Sequence, residues 1–521
     1  MTLDLRNLKV QHGTHWTFAL LFGVVFVGCG ALYLTRPANP DQLAFDYMAW
    51  RQLAGEAPYH GFINSDWPGV IWLHALSISI FGLNLWSWRA LDFLLANMAA
   101  MFIAGVLRRS VGGRAAVYYV LLYPFLYVGL SYWIPGNHDM AATHFACAAL
   151  WFHQSVLLDN RRRFQWGAGI FLALAILCKP TFAILGPLLL IQAAAVGIPF
   201  GKVIAHGLNA AVATAIVLLL ALGALLAQGV AFQEIWDCTI LANDRTIQLE
   251  ILGQHEPTIR GLLAYALMVH LQWWTALTVG GVVGSCVIAR ANLRTGSPLL
   301  VLWGAGLVSF LLQGRGCDYQ LAPLFPPLVG LLASALANLN LCFVKYGDKW
   351  KTLARACLFA LVLVSGATKL HGLYKPLFQG GYREFLAKQQ DGNVSMAESM
   401  NLAKEIQSRT SASDTVFVLG HTSSLHMLSR RVHPVILFYY QILFKLPYLP
   451  MGGRWLERWA LQLNERRPKL CIIQTDFEQR WLPGSDPAAG VLRQFLSAHY
   501  TRTGPFGASR AYTLYELKAG D

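Results

Sequence analysis

The chain predicts an α-helical polytopic membrane protein followed by a small α/β domain outside the membrane. Three observations carry this reading. First, the 521 residues are 55% hydrophobic and only 13% charged, with mean hydropathy +0.44, whereas soluble domains are about 25% charged. Second, apolar runs of about 20 residues recur, and that is the length that crosses the hydrocarbon core. Third, charged residues become frequent from about Gln379 and no further apolar run appears. The expected organisation is a membrane domain over 1–376, with a first outer loop at 36–87, and an extracytoplasmic α/β domain over 377–521.

Spans are expected near 15–35, 88–107, 115–134, 140–158, 165–178, 181–199, 207–228, 264–289, 297–313, 321–341 and 354–372, about eleven in all. The fifth and sixth are short and meet at Lys179–Pro180. Basic clusters lie at Arg108–Arg109–Arg114, Arg161–Arg162–Arg163, Lys202, Arg290–Arg294 and Lys345–Lys349–Lys351–Arg355. With Arg6 and Lys9 inside, every cluster falls on the cytoplasmic side, as the positive-inside rule requires. The alternate loops carry Asp41, Asp139, Asp237, Asp244, Glu250 and Asp318 and lie outside. An odd number of spans then puts the C-terminal domain outside. The expected location is the inner (plasma) membrane, with a cytoplasmic N-terminus and a periplasmic C-terminal domain.

The net charge of +14 is then mostly topogenic and sits against anionic lipid. It calls for no nucleic-acid partner. The first span reads as a signal anchor, since no small-residue cleavage site follows its apolar run. The nine cysteines are scattered and show no CxxC spacing. Cys238 and Cys317 could both face outside; two unrelated apolar cysteines is the simpler reading.

In the outer domain, Ala403–Arg409 reads as helix, and Asp414–Gly420 and Lys469–Gln474 read as short buried strands. Arg510–Leu517 alternates like an edge strand. No chemical motif stands out there, and binding or shielding of a membrane site is the expected role.

The segment Pro40–Arg89 is too apolar and aromatic for a solvated loop, yet it carries Asp41, Asp46, Glu56, His60 and Asp66. Two amphipathic surface helices are expected in it, near 41–54 and 68–81, roofing a site at the water–lipid boundary. Trp67, Trp86 and Trp88 are most simply an interface belt. An ionisable group inside a span costs about 2.5–3.5 kcal/mol on insertion scales, so each is a functional candidate. Asp139 opens the fourth span in Pro135-Gly-Asn-His-Asp139. Lys179 lies between two long apolar runs, and Arg315 and Tyr319 lie in Gln313-Gly-Arg-Gly-Cys-Asp-Tyr319.

Each has a plainer explanation. Asp41, Asp46 and Asp139 could cap helices, Lys179 could snorkel, and Arg315 could pair with Asp318. Against snorkelling, Pro180 breaks the helix beside Lys179, and no acid is near it in sequence. Taken together, acids suit removal of a proton from an acceptor hydroxyl or amine. Fixed cations suit a leaving group that gains negative charge, such as a phosphate. A phosphate on a lipid chain sits naturally at that depth.

At this point the chain resembles a known family, the GT-C type integral-membrane glycosyltransferases. It is most similar to the family-39-like enzymes, which include protein O-mannosyltransferases and aminoarabinose transferases. Asp41, Phe45, Gly55, Pro58-Tyr59, Pro68, Phe81-Gly82 and Arg89 match the family's first outer loop in order and spacing. Asp139 matches its second acid and Lys179 its lysine after the fifth span, here as Lys-Pro rather than Lys-Gly. Arg315, Tyr319 and Pro323 match a later Arg/Lys-x-x-x-Tyr-x-x-x-Pro element. The resemblance covers about residues 15–375. Two departures stand out: Asp41-Gln42 replaces the frequent Asp-Glu, and Asp66-Trp-Pro-Gly69 replaces a frequent Lys-Pro-Pro.

The resemblance implies a GT-C fold and inverting transfer of a sugar from a polyprenyl-phosphate donor to an extracytoplasmic lipid, glycan or protein acceptor. Asp41 would be the general base, favoured over Asp46 by its spacing to Gly55. Asp139 would orient the acceptor or support the base. Lys179 and Arg315 would hold the donor phosphate with Tyr319 beside them. Asp46, His60, His138 and Arg89 are secondary candidates. No cofactor is required; His60 and His138 leave a divalent metal open, but neither lies in a ligand-spaced motif. The alternative from another class is a membrane transporter or lipid flippase. Its usual signs are mid-membrane polar groups and inverted repeats, whereas the charges here collect at one face.

Overall fold

The structure, a computed structural model, describes residues 12–159, 163–243, 258–291, 293–339, 347–420 and 424–519. Arg6, Lys9, Arg161, Arg162, Asp244, Glu250 and Lys345 lie outside the described residues.

The membrane domain is built from helices α1 (His12–Thr35), α2 (Pro40–Leu53), α3 (Pro68–Phe81), α4 (Ser87–Ser110), α5 (Gly113–Val128), α6 (His138–Asp159) and α7 (Phe164–Cys178), followed by α8 (Leu185–Ala195), α9 (Phe200–Ala227) and the short α10 (Phe232–Thr239). Then come α11 (Ile259–Trp273), α12 (Thr275–Ala291), α13 (Leu293–Gln313), α14 (Phe325–Asn338) and α15 (Asp348–Lys388). Each expected span falls on a helix except the eighth, which is the pair α11 and α12, bent by 102°. Among the described residues, four helices are long and apolar enough to cross a membrane, or six if each bent pair is one span. The remaining apolar helices are shorter, so helix length alone does not fix the number of crossings.

The two extremes of burial follow from neighbours rather than composition. α14 is apolar all round and its residues Phe325–Ala337 are buried, as a helix with no polar stripe must be when it runs through a protein core. α9 is equally apolar but displays Phe200, Ile204, Leu208, Leu219 and Leu220 outward, as a lipid-facing helix would.

The surface helices appear where expected. α2 starts with Pro40 at its first position and is capped by Asn39, whose side chain accepts from Gln42 N at 2.9 Å while Gln42 Oε1 accepts from Asn39 N at 3.1 Å. Such a capping box satisfies two otherwise orphaned donors. α2 runs at 84° to α1, so it lies across the bundle end. α3 starts with Pro68 and stops at Gly82, whose φ of 79° favours glycine.

At Gly69, α3 touches the C-terminal end of α7. A Cβ there would sit 2.6 Å from the Leu177 carbonyl carbon. Only glycine lets α3 seat directly beside the helix end that carries Lys179.

The C-terminal domain, called the outer domain after its expected side of the membrane, holds a hairpin of β1 (Gln390–Asp391) and β2 (Val394–Ser395), helices α16 (Met396–Arg409), α17 (Ser424–Ser429), α18 (Tyr440–Lys445), α19 (Gly452–Arg466) and α20 (Pro487–His499), and a four-stranded sheet. The sheet order is β3 (Val416–Leu419), β4 (Leu470–Gln474), β6 (Tyr512–Leu517), β5 (Tyr500–Phe506), with β3 and β4 parallel and the rest antiparallel. Both faces are covered. Val416, Val418, Leu470 and Ile472 pack with Leu402 and Ile406 of α16. Phe417, Leu419, Cys471 and Ile473 pack with Trp459 and Leu463 of α19 and Leu492 of α20.

Three expectations need correction here. The alternating Arg510–Leu517 strand is not an edge: β6 lies between β4 and β5. Its polar positions are satisfied inside the protein, since the hydroxyls of Thr513 and Tyr515 donate to Glu478 at 2.6 and 2.5 Å. β5 is the edge on that side, and Pro505 within it is the residue such edges tolerate. The helical stretch Asp348–Lys388 runs across the expected boundary at 376/377, with a kink at Gly381. Trp88 is fully buried, its indole donating to Gly136 O at 2.8 Å, so only the exposed Trp86 fits an interface belt. Cys238 and Cys317 are both unpaired.

Candidate active site

The N-terminus of α2, the loop before α3, the start of α6 and the turn 315–319 meet the outer domain around one cavity of about 110 Å³. Asp41, Asp66, His138, Arg315 and Tyr319 line it from the membrane domain. Tyr439, Gln441 and Lys445 line it from the outer domain.

Asp41 is free of capping duty because Asn39 and Gln42 take it. One Asp41 carboxylate oxygen accepts a hydrogen bond from the Tyr439 hydroxyl at 3.2 Å. Burial pushes its carboxyl above the ordinary carboxylate range; His138 opposes the rise and Asp66 adds to it. A carboxylate so placed is a better proton acceptor than a solvated one.

His138 leads from the cavity to a buried cluster. Its Nε2 lies 2.7 Å from Lys179 Nζ and 3.1 Å from Asp139 Oδ2. Lys179 Nζ is 3.4 Å from the same Asp139 oxygen, and Gln313 Nε2 donates to Asp139 Oδ1 at 2.8 Å. Asp139 is fully buried. Lys179, with no acid near it in sequence, meets one in space: Asp139 lies forty residues earlier in the chain and is brought in by the packing of α6 on α7. Asp139 caps nothing through its carboxylate, which is spent on Lys179, His138 and Gln313.

Arg315 is exposed at the cavity and makes no ion pair with Asp318, among the described residues; Asp318 instead accepts from the Ser131 hydroxyl at 3.1 Å. Tyr319 lies with its ring centre 6.1 Å from that of His138.

Three secondary candidates lie elsewhere. Asp46 is buried against His74, Oδ1 to Nδ1 at 2.7 Å, and the His74 ring stacks on Trp88 at 3.7 Å. That pair ties α2 to α3 and α4. Arg89 is fully buried and donates to Tyr33 Oη, Pro135 O and Pro37 O at 2.8–2.9 Å, which fixes the loop that presents Asn137-His138-Asp139. His60 is exposed and paired with Glu234 at 2.9 Å. Among the described residues, no group of three His, Cys, Asp or Glu is arranged to hold a metal ion.

Sequence reasoning missed Tyr439, Gln441 and Lys445. The available signal was an aromatic run, Phe438-Tyr-Tyr440, followed five residues later by Lys445. It also expected α2 to be the roof. In fact α2 is itself covered: Tyr47 packs on Phe438 at 4.9 Å between ring centres and on His426 at 5.1 Å.

The architecture is that of the GT-C fold. The structure of ArnT from Cupriavidus metallidurans in the apo state superposes with a TM-score of 0.61 at 15% identity, covering 96% of this chain and 98% of that one. The same protein bound to undecaprenyl phosphate gives 0.59 at 15% identity, over 97% and 98%. The archaeal oligosaccharyltransferase AglB from Archaeoglobus fulgidus, in complex with an inhibitory peptide and a dolichol-phosphate, gives 0.50 at 11% identity, over 97% of this chain and 75% of that one.

In sequence, the family model described as dolichyl-phosphate-mannose-protein mannosyltransferase matches residues 65–226. The resemblance to family-39-like GT-C proteins is borne out by these two findings together. The matched stretch contains Asp139 and Lys179 and leaves Asp41, Arg315 and Tyr319 outside it. A comparison with curated protein sequences returns no match.

Proposed function

We propose that this protein is a membrane glycosyltransferase that moves a sugar from a polyprenyl-phosphate donor to an acceptor on the outer side of the membrane. The observation that carries the reading is the meeting of Asp41, a half-buried carboxylate with a raised pKa, and Arg315 in one cavity. The fold it shares with proteins whose structures hold undecaprenyl phosphate or dolichol-phosphate supports a lipid phosphate as donor.

In this reading Asp41 takes the proton of an acceptor hydroxyl or amine. The freed electron pair forms the new bond to the anomeric carbon. The bond from that carbon to the phosphate oxygen breaks on the opposite face, and its electrons leave with the phosphate, so configuration inverts. Arg315 and Lys179 stabilise the charge gained by the phosphate, and the Tyr319 hydroxyl donates beside them. Asp139 holds Lys179 and His138 in place. A second, larger cavity of about 440 Å³ is lined by Asp318, the residue before Tyr319 of the first cavity. Leu130, Ile134, Tyr265 and Trp274 make it mostly apolar, which suits the first isoprene units of the lipid.

The test is Asp41→Asn in a membrane assay with a lipid-linked sugar. General-base catalysis is worth about 10²–10⁴-fold, so the rate should fall by that much. Undiminished transfer would sink the assignment.

A further inference from the structure

Lys445 is used by nothing described so far. It ends α18, where the C-terminal end of a helix favours a cation. Its side chain is half-buried and faces the cavity that also holds Arg315. Among the described residues, neither cation has an ion-pair or hydrogen-bond partner. Asp66 lines the same cavity and attracts Lys445, yet the two form no ion pair, so the lysine is not there simply to neutralise that acid. Burial, and secondarily the charge of Arg315, push the Lys445 amine down to about 8. Two like charges line one cavity and neither is ion-paired to the carboxylates there, Asp41 and Asp66, so their repulsion is only partly offset in the empty protein. An anion between them offsets the rest. The cavity far exceeds the roughly 10–15 Å³ that one water needs.

We propose that Lys445 and Arg315 form a two-pronged anion site that grips the phosphate of the lipid-linked substrate, so that the outer domain supplies part of the phosphate-binding charge. This rests on the glycosyltransferase reading for the identity of the anion. The domain at the end of the chain then serves as a binding element and not as a cover. Arg315 comes from the turn before α14 and Lys445 from the outer domain, so the phosphate bridges the two parts of the molecule.

The experiment measures binding of undecaprenyl phosphate, undecaprenol and inorganic phosphate to the purified full-length protein, with Lys445→Ala and Lys445→Arg beside the unaltered chain. A hydrogen bond between charged groups is worth about 1.5–3 kcal/mol, so Lys445→Ala should weaken undecaprenyl phosphate binding by about 10–100-fold. Lys445→Arg should restore most of it. Undecaprenol should bind all three proteins alike, which also shows that the variants fold. Unchanged binding of undecaprenyl phosphate by Lys445→Ala, or an equal loss for undecaprenol, overturns the proposal. Displacement of undecaprenyl phosphate by an equal concentration of inorganic phosphate assigns the site to a soluble anion and overturns the lipid source. If the binding pattern holds while no sugar transfer is found with any donor, the anion site stands and the enzymatic reading falls.

Discussion

Asp139→Asn is the most informative single change outside the cavity. The substitution keeps the shape of the side chain and keeps an acceptor for Gln313, which now donates to Asp139 Oδ1 at 2.8 Å. What it removes is the charge facing Lys179 Nζ at 3.4 Å. At that separation two unit charges interact by about 5 kcal/mol for an effective dielectric constant of about 20. Breaking a buried pair by removing one partner costs about 3–5 kcal/mol, because the remaining charge is left in a poor solvent. Lys179 keeps 16% of its side-chain surface exposed, so the lower end of that range applies, about 3 kcal/mol. The assay is urea or thermal unfolding of the purified protein in detergent, followed by tryptophan fluorescence. Lys179→Gln is made alone and combined with Asp139→Asn. The double variant should recover a large part of the loss seen in Asp139→Asn, since no lone charge is then buried. If Asp139→Asn unfolds like the unaltered protein, or if the two losses simply add, the pair is not coupled and the account of the cluster is wrong.

Two further outcomes follow from contacts already described. Tyr439→Phe removes the hydroxyl that donates to Asp41 and holds its carboxyl down. In the proposed reaction Asp41 acts ionised, so the acid limb of the pH–rate profile should move to higher pH by about one unit, the equivalent of 1.4 kcal/mol; an unmoved limb would show that Asp41 does not set the profile. Gly69→Ala places a methyl group against the Leu177 backbone. Overpacking of that kind costs about 1–3 kcal/mol. Because the strain falls next to Lys179, the KM for the lipid donor should rise more than stability alone explains, and a variant with unchanged KM would show that α3 does not set the lysine's position.

Where the sequence was readable, it was so through short-range physics. Pro40 and Pro68 mark the starts of α2 and α3, and the apolar runs Val416–Leu419 and Leu470–Gln474 mark strands buried on both faces. Asp41, His138, Arg315 and Tyr319 line one cavity, whereas Asp139 and Lys179, expected beside them, do not line it. What could not be read depends on which distant elements pack together. Asp46 is a second acid of α2, five residues and so about 1.4 turns later, and it faces His74 on α3 instead of the cavity. The partnership of Lys179 with Asp139 follows from the packing of α6 on α7. Tyr439 and Lys445 carry no motif, and only the docking of the outer domain on α2 reveals them.

That docking has a consequence for how the protein is made. Asp41 and the tyrosine that bonds to it are 398 residues apart in the chain. At about 5–20 residues per second, Asp41 waits roughly 20–80 s after its own synthesis before Tyr439 exists. Throughout that interval the carboxylate stands without its outer wall, and Arg315 itself is made only in the later part of it. A nascent chain therefore inserts into the membrane with its cavity open on one side, and the last domain to fold is the one that closes it. Activity would be timed by the completion of translation, and a half-made copy would have no finished site in which to consume a lipid-linked sugar.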